Sequence, residues 1–188
     1  MIDSLLIADA ALRVWLVTHH TPWLDQVMWL LSAAGVGGSI WIAIAAVMAA
    51  WVPRLRAPAW QVVLAVLLAQ AIVDWTVKPI IARPRPFVAD TRARVVGYHP
   101  ETYSFPSGHT TTSFAAATVL AFAITRRRAA ITWALASAVA VSRIYIGVHY
   151  PLDVASGALF GVALGVVVAG GRAWYIGGSS VAPRLVPR

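Results

Sequence analysis

Cysteine is absent from the 188 residues. That excludes a disulfide framework, a thiolate nucleophile and any zinc site built on sulfur. Charge is also scarce: 12% of residues are Asp, Glu, Lys or Arg, against about 25% in a soluble domain. So few ions cannot cover the outside of a water-soluble globule of this size. Acids are scarcest, 7 against 15 Lys and Arg, for a net charge of +8. In a soluble chain that excess would suggest nucleic acid, but here the basic residues are scattered between apolar runs and form no recognisable nucleic-acid module. Loops beside anionic lipid carry such an excess for their own reasons.

Apolar residues are plentiful: 60% of the chain, with a mean hydropathy of +0.74, which also excludes a disordered chain. The expectation is a single membrane-embedded domain over residues 1–178. Residues 179–188 are expected to be a disordered tail, and its end, Leu185-Val186-Pro187-Arg188, reads as the scar of a thrombin-cleavage tag. The start, with Asp3 and no basic stretch, does not read as a cleavable signal peptide.

Five apolar stretches are long enough, or nearly so, to cross a hydrocarbon core that needs about 20 helical residues. They run from Gln26 to Trp51, Trp60 to Ile81, Thr110 to Thr125, Ala129 to Val148 and Leu152 to Gly170. Trp23, Trp29, Trp41, Trp51, Trp60 and Trp75 fall mostly toward the ends of these spans, where an aromatic belt would sit. Ser4 to His19 is a weaker segment, with Leu5, Ala8, Leu12 and Trp15 on one helical face and Asp9 and Arg13 spaced as a surface ion pair. It is short for a span and reads as a helix lying in the interface, with a sixth crossing as the alternative. Thr21-Pro22 breaks it from the first span. The predicted fold is therefore an all-α polytopic membrane bundle of five transmembrane helices plus an N-terminal interfacial helix.

Lys and Arg tie between the two sides of this bundle. The compact triplet Arg126-Arg127-Arg128, set between two spans, is the clearest topological signal and places its side in the cytoplasm. The opposite side holds the long connection from Ala82 to Pro106. A loop of that length in so small a chain is usually functional.

Three polar clusters all fall on the side away from the triplet. Lys78 ends a membrane helix and is followed by Arg85-Pro86. Cations at that depth are costly, and an arginine fork suits phosphate; alternatively, Lys78 snorkels to the head groups. Pro106-Ser107-Gly108-His109 precedes a span and offers a hydroxyl, the free N–H groups of a helix start and an imidazole; alternatively, Ser107 is a plain helix cap. Ser142-Arg143 is followed by His149 and Asp153, four apart, so the carboxylate can reach and orient the ring; alternatively, these form an ordinary ion pair at a helix start.

Together the clusters supply cations, amide donors, two imidazoles and a carboxylate. That set suits metal-free phosphoryl transfer, with one histidine attacking and the other protonating the leaving oxygen. Two histidines and an aspartate could also hold zinc, but the three neighbouring cations would repel a divalent metal.

The ordered trio Lys78-x6-Arg85-Pro86, Pro106-Ser107-Gly108-His109 and Ser142-Arg143-x5-His149-x3-Asp153 resembles the signature of the type 2 phosphatidic acid phosphatase superfamily, with every signature position present. The small size and interfacial start are similar to its bacterial undecaprenyl diphosphate phosphatase branch. The resemblance implies a lipid phosphatase of the bacterial cytoplasmic membrane with its active site on the periplasmic or extracellular side. It implies His149 as nucleophile forming a phosphohistidine, Asp153 as its activator, and His109 as general acid and then base. Lys78, Arg85 and Arg143 would bind the phosphate with Ser107 and the amide of Gly108. It implies no metal or other cofactor, and a lipid phosphate or diphosphate as substrate. Three residues stand outside the signature: Arg83 is expected to be a head-group anchor, Asp74 a partner for Lys78, and His99 a solvated loop residue.

Overall fold

The computed structural model describes residues 2–18, 20–90 and 93–178; the expected tail and tag scar lie outside them. Among the described residues there is helix and loop and no strand. Helix α1 covers Ile2–Val17, α2 Pro22–Ala34, α3 Ser39–Trp51, α4 Arg56–Ile72, α5 Lys78–Ile81, α6 Pro86–Ala89, α7 Gly108–Ala121, α8 Arg126–Tyr145 and α9 Pro151–Gly178. The all-helical expectation therefore holds.

By length and composition two runs can cross a membrane, Pro53–Ala89 and Pro151–Gly170. A third is formed if α2 and the run Val36–Trp51, bent by 52°, count as one span. The single straight helix expected over 26–51 is thus broken. The break is at Gly37 and Gly38, and Gly38 has φ of +73°, which an L side chain rarely adopts. A Cβ on Gly38 would also lie 2.4 Å from Val66 Cγ1 of α4, so the bend lets α3 dock closely on α4. Helix α7 has only 14 residues, and α8 carries four arginines, so neither qualifies on these criteria alone.

Helix α7 is the axis of the bundle. Its residues are buried almost throughout, from Gly108 to Leu120, because α4, α8 and α9 pack around it. A helix enclosed on all sides needs small residues, and its polar ones must be satisfied internally. Thr111 and Thr112 donate back to the carbonyls of Ser107 and Gly108 at 2.9 and 3.1 Å. Trp41 donates to Ser113 Oγ at 2.9 Å and is fully buried. It therefore belongs to the core and not to the belt, whereas Trp23, Trp51, Trp60 and Trp75 are exposed.

Helices α7 and α9 meet along Gly157, Gly161 and Gly165 of α9. A Cβ on Gly161 would sit 2.5 Å from the carbonyl oxygen of Thr111, so the two backbones touch. Small residues at four-residue spacing permit such an approach between membrane helices. This stripe packs helices within one chain. Its consequence is positional: it draws the start of α7, with His109, against the start of α9, with Asp153. The Ser107 N–H donates to the Asp153 carbonyl at 3.0 Å.

Candidate active site

All three motifs converge at one end of the bundle, on the starts of α5, α6, α7 and α9 and the end of α8. The chain between α6 and α7 is fastened across this end by Val96 N–H to the Ile146 carbonyl (3.0 Å) and Arg94 to Asp25 (2.6 Å), and Ser104 N–H ties it back to the Arg83 carbonyl (2.9 Å). Beneath it lies a cavity of about 400 Å³ whose walls include Lys78, Arg85, Gly108, His109, Arg143 and His149. Ser107 and Asp153 stand behind these residues, outside the lining.

Lys78 follows a π-helical turn over Val73–Val77, an irregularity that often marks a functional position. Its Nζ donates to Asp74 Oδ1 at 2.6 Å, the pairing expected, and Asp74 in turn accepts a hydrogen bond from Gln70. Lys78 is 6% exposed, so it does not snorkel. Arg85 is held by the Thr102 carbonyl (2.6 Å), Thr102 Oγ1 (3.1 Å), and the Val148 carbonyl (2.9 Å), and Nη1 lies 3.2 Å from His149 Nε2. A guanidinium stays charged at neutral pH. Arg143 donates to Ser32 Oγ of α2, and its Nε is buried without a partner.

His149 is fully buried in the turn between α8 and α9. Its Nδ1 is 3.3 Å from Asp153 Oδ2 and 3.4 Å from Ser104 Oγ. With the proton on Nδ1 toward the carboxylate, Nε2 carries a lone pair beside Arg85 at the cavity wall. Burial pushes the imidazole down to about 3, against the opposing pull of its bond to Asp153. The ring is thus neutral, the form a nitrogen nucleophile requires. Across the cavity, His109 Nε2 is buried without a hydrogen-bond partner, on the first turn of α7. Ser107 occupies the N-cap position but makes no side-chain cap bond; its Oγ accepts from Thr110 Oγ1 at 3.0 Å. The plain-cap explanation therefore fails. Three cations against one carboxylate, Asp74, line this cavity, so it is built for an anion.

The match to known proteins agrees in extent: the model of the PAP2 superfamily matches residues 58–175, which hold all three motifs. The chain belongs to the PAP2 superfamily. It is 35% identical to a decaprenylphosphoryl-5-phosphoribose phosphatase of Mycobacterium tuberculosis, over 70% of this chain and 73% of that one. It is 28% identical to undecaprenyl-diphosphatase BcrC of Bacillus subtilis, over 79% of this chain and 75% of that one. The crystal structure of Aquifex aeolicus LpxE superposes with a TM-score of 0.75 at 26% identity, covering 85% of this chain and 93% of that one. The protein is accordingly a PAP2 lipid phosphatase, integral to a membrane.

Two expectations are corrected. Asp9 and Arg13 do not form a surface pair: both are buried, at 5% and 6% exposure. Asp9 bonds instead to Arg83, and the Arg13 guanidinium lies 6.0 Å from the centre of the Tyr150 ring. Arg83 is not a head-group anchor; it joins Asp9 to Asp153 at 2.6 Å each. His99 packs edge-on to Phe87, away from the cavity lining. The sequence reading also missed Ser104, Thr102 and Ser32, single hydroxyls with no spacing signal. Arg83 carried a signal, since it sits in Arg83-Pro84-Arg85-Pro86, where two prolines stiffen the chain around both arginines.

Proposed function

We propose that the cavity hydrolyses a polyprenyl diphosphate, undecaprenyl diphosphate by preference, to the monophosphate and inorganic phosphate. The observation that carries this reading is the position of His149, its Nδ1 backed by Asp153 and its ring at a cavity wall shared with three cations and His109. Lys78, Arg85, Arg143 and the amide of Gly108 hold the terminal phosphate and neutralise its oxygens as charge builds. Ser107 contributes through its N–H bond to the Asp153 carbonyl, which ties the start of α7 to α9. His149 Nε2 attacks phosphorus, and the bond to the lipid-side oxygen breaks as His109, protonated when the anionic substrate enters beside it, gives that oxygen its proton. The product at this stage is a phosphohistidine and the shortened lipid. His109 then takes a proton from water, whose oxygen attacks phosphorus, breaks the P–N bond and releases phosphate. No step needs a metal.

The substrate preference leans on the relatives named as prenyl-phosphate enzymes and on a wall in which cations outnumber acids. The alternative substrates are phosphatidylglycerophosphate and phosphatidic acid. We further place the domain, residues 1–178, with five crossings and its site on the periplasmic or extracellular side. In support, the exposed Arg126–Arg128 triplet lies at the opposite end from the site. Asp9, midway along α1, bonds to the first turn of α9, which sets the middle of α1 level with a bundle end, as an interfacial helix requires.

The test is phosphate release by purified protein from a panel of undecaprenyl diphosphate, phosphatidylglycerophosphate and phosphatidic acid in detergent. Fastest release from the diphosphate is expected, with inhibition by vanadate, which mimics a five-coordinate phosphorus. Preference for a glycerophospholipid would overturn the substrate.

A further inference from the structure

The motif residues leave one buried cluster of charge unexplained. Asp153 Oδ2 is occupied by His149, by Ser104 Oγ and by the Tyr150 N–H at 3.0 Å. Its other oxygen, Oδ1, accepts from Arg83 Nη1 at 2.6 Å. The same guanidinium reaches with Nη2 to Asp9 Oδ2, also at 2.6 Å, and lies 4.0 Å from the centre of the Tyr150 ring. Asp9 completes its own set by accepting the Leu152 N–H at 2.8 Å. The side chains of Asp9 and Asp153 are 1% and 0% exposed. A planar fork held between two buried carboxylates has little freedom.

The charges of this cluster decide what Asp9 does. Arg83 with Asp153 alone would be a neutral pair, and a carboxylate neutralised by its own guanidinium has little field left for the ring. With Asp9 added, Asp9, Arg83 and Asp153 together carry a single negative charge on the Nδ1 side of His149, which offsets Arg85 at Nε2. That charge is needed when His149 Nε2 attacks phosphorus and its ring becomes cationic.

We propose that Asp9 of α1, acting through Arg83, is a positioning residue for the Asp153–His149 pair, so that the N-terminal helix completes the catalytic relay. This rests on the reading of His149 as nucleophile. Arg13, one turn further along α1, faces the same Tyr150 ring but bonds to neither carboxylate, so the link runs through Asp9.

The experiment uses the full chain purified in detergent, with whichever panel lipid the wild type cleaves fastest, so that an error in the substrate assignment does not affect it. Asp9→Asn keeps the shape and removes the charge. It should lower kcat about ten- to hundredfold, the equivalent of one lost charge-assisted bond, with KM nearly unchanged. Asp9→Glu should recover most of that loss. In an Arg83→Gln background, adding Asp9→Asn should cost little more, because its route to Asp153 is already cut. Wild-type kcat in a folded Asp9→Asn protein would overturn the proposal, and so would losses that simply multiply in the double variant. Should Asp9→Asn fail to fold, Arg83→Lys, which keeps the charge but not the fork, gives the same readout: reduced kcat at constant KM supports the relay, and full activity overturns it. His149→Ala is run alongside. If it turns over normally, the nucleophile assignment falls, and the relay with it. If it is inactive while Asp9→Asn is unaffected, only the relay falls.

Discussion

At the site end of the bundle, Arg85 and Arg143 are each 4% exposed and Lys78 is 6% exposed. At the opposite end, Arg54, Arg56, Arg126, Arg127 and Arg128 are all exposed. The residue types match and the costs do not. Burying a guanidinium is expensive unless an anion or hydrogen bonds compensate. Arg85 is compensated by carbonyls, but Arg143 keeps an unpartnered Nε. The site end therefore stores unmet donor capacity that a phosphate would fill. The exposed arginines remain hydrated.

The largest break in this comparison is expected from the group that the buried cations serve. His149→Ala should leave the helices folded and reduce phosphate release by about three orders of magnitude or more, since the remaining site could still bind phosphate and stabilise charge. Phosphate release in detergent, beside a thermal melt, separates lost chemistry from lost fold. Turnover within tenfold of wild type would remove His149 as the nucleophile.

Arg143→Leu should follow, with kcat falling about a hundredfold or more, the scale of losing one preorganised donor to developing charge. Arg143→Lys should restore only part, because a point charge cannot replace the fork that also meets Ser32. An equal loss from Arg128→Leu at the other end would erase the distinction between the two ends.

Gly161→Leu tests what brings the site together without touching a charge. The new side chain must displace the Thr111 backbone. Overpacking of this kind costs about 1–3 kcal/mol or more, and it should lower the melting temperature. Activity should fall in parallel, because α7 and α9 carry His109 and Asp153. A variant that melts lower yet retains full kcat would show that the α7–α9 approach does not set the site.

How much of this was legible in the sequence depends on the range of the signal. The apolar runs and the three motifs are local patterns, and every motif residue lies at the site end. The bend after α2 was hidden because apolar residues resume on both sides of it, and the interruption Gly35-Val36-Gly37-Gly38-Ser39 is short. The burial of Trp41 was hidden because tryptophans near span ends look alike until a partner such as Ser113 is known. Asp9 and Arg13 misled for the opposite reason. Their spacing fits an i,i+4 pair, and a long-range partner, Arg83, outcompeted the local one. Local spacing cannot reveal a contact across more than seventy residues.

The smallest expected effect belongs to the exposed end. Replacing Arg126, Arg127 and Arg128 together by Gln should leave kcat within about twofold in detergent, since surface substitutions away from the site cost little. In cells the same change acts on a different quantity. Short loops rich in Lys and Arg are retained in the cytoplasm, and removing the triplet leaves Arg54 and Arg56 as the main exposed cations at that end. A fraction of molecules inserted in reverse is expected, read by the accessibility of a single cysteine introduced at Ala130, a usable probe because the chain contains no other. If the triplet variant loses kcat in detergent as Arg143→Leu does, the exposed arginines reach the chemistry. If it is active in detergent and mis-inserted in membranes, the two ends divide the work as their burial predicts.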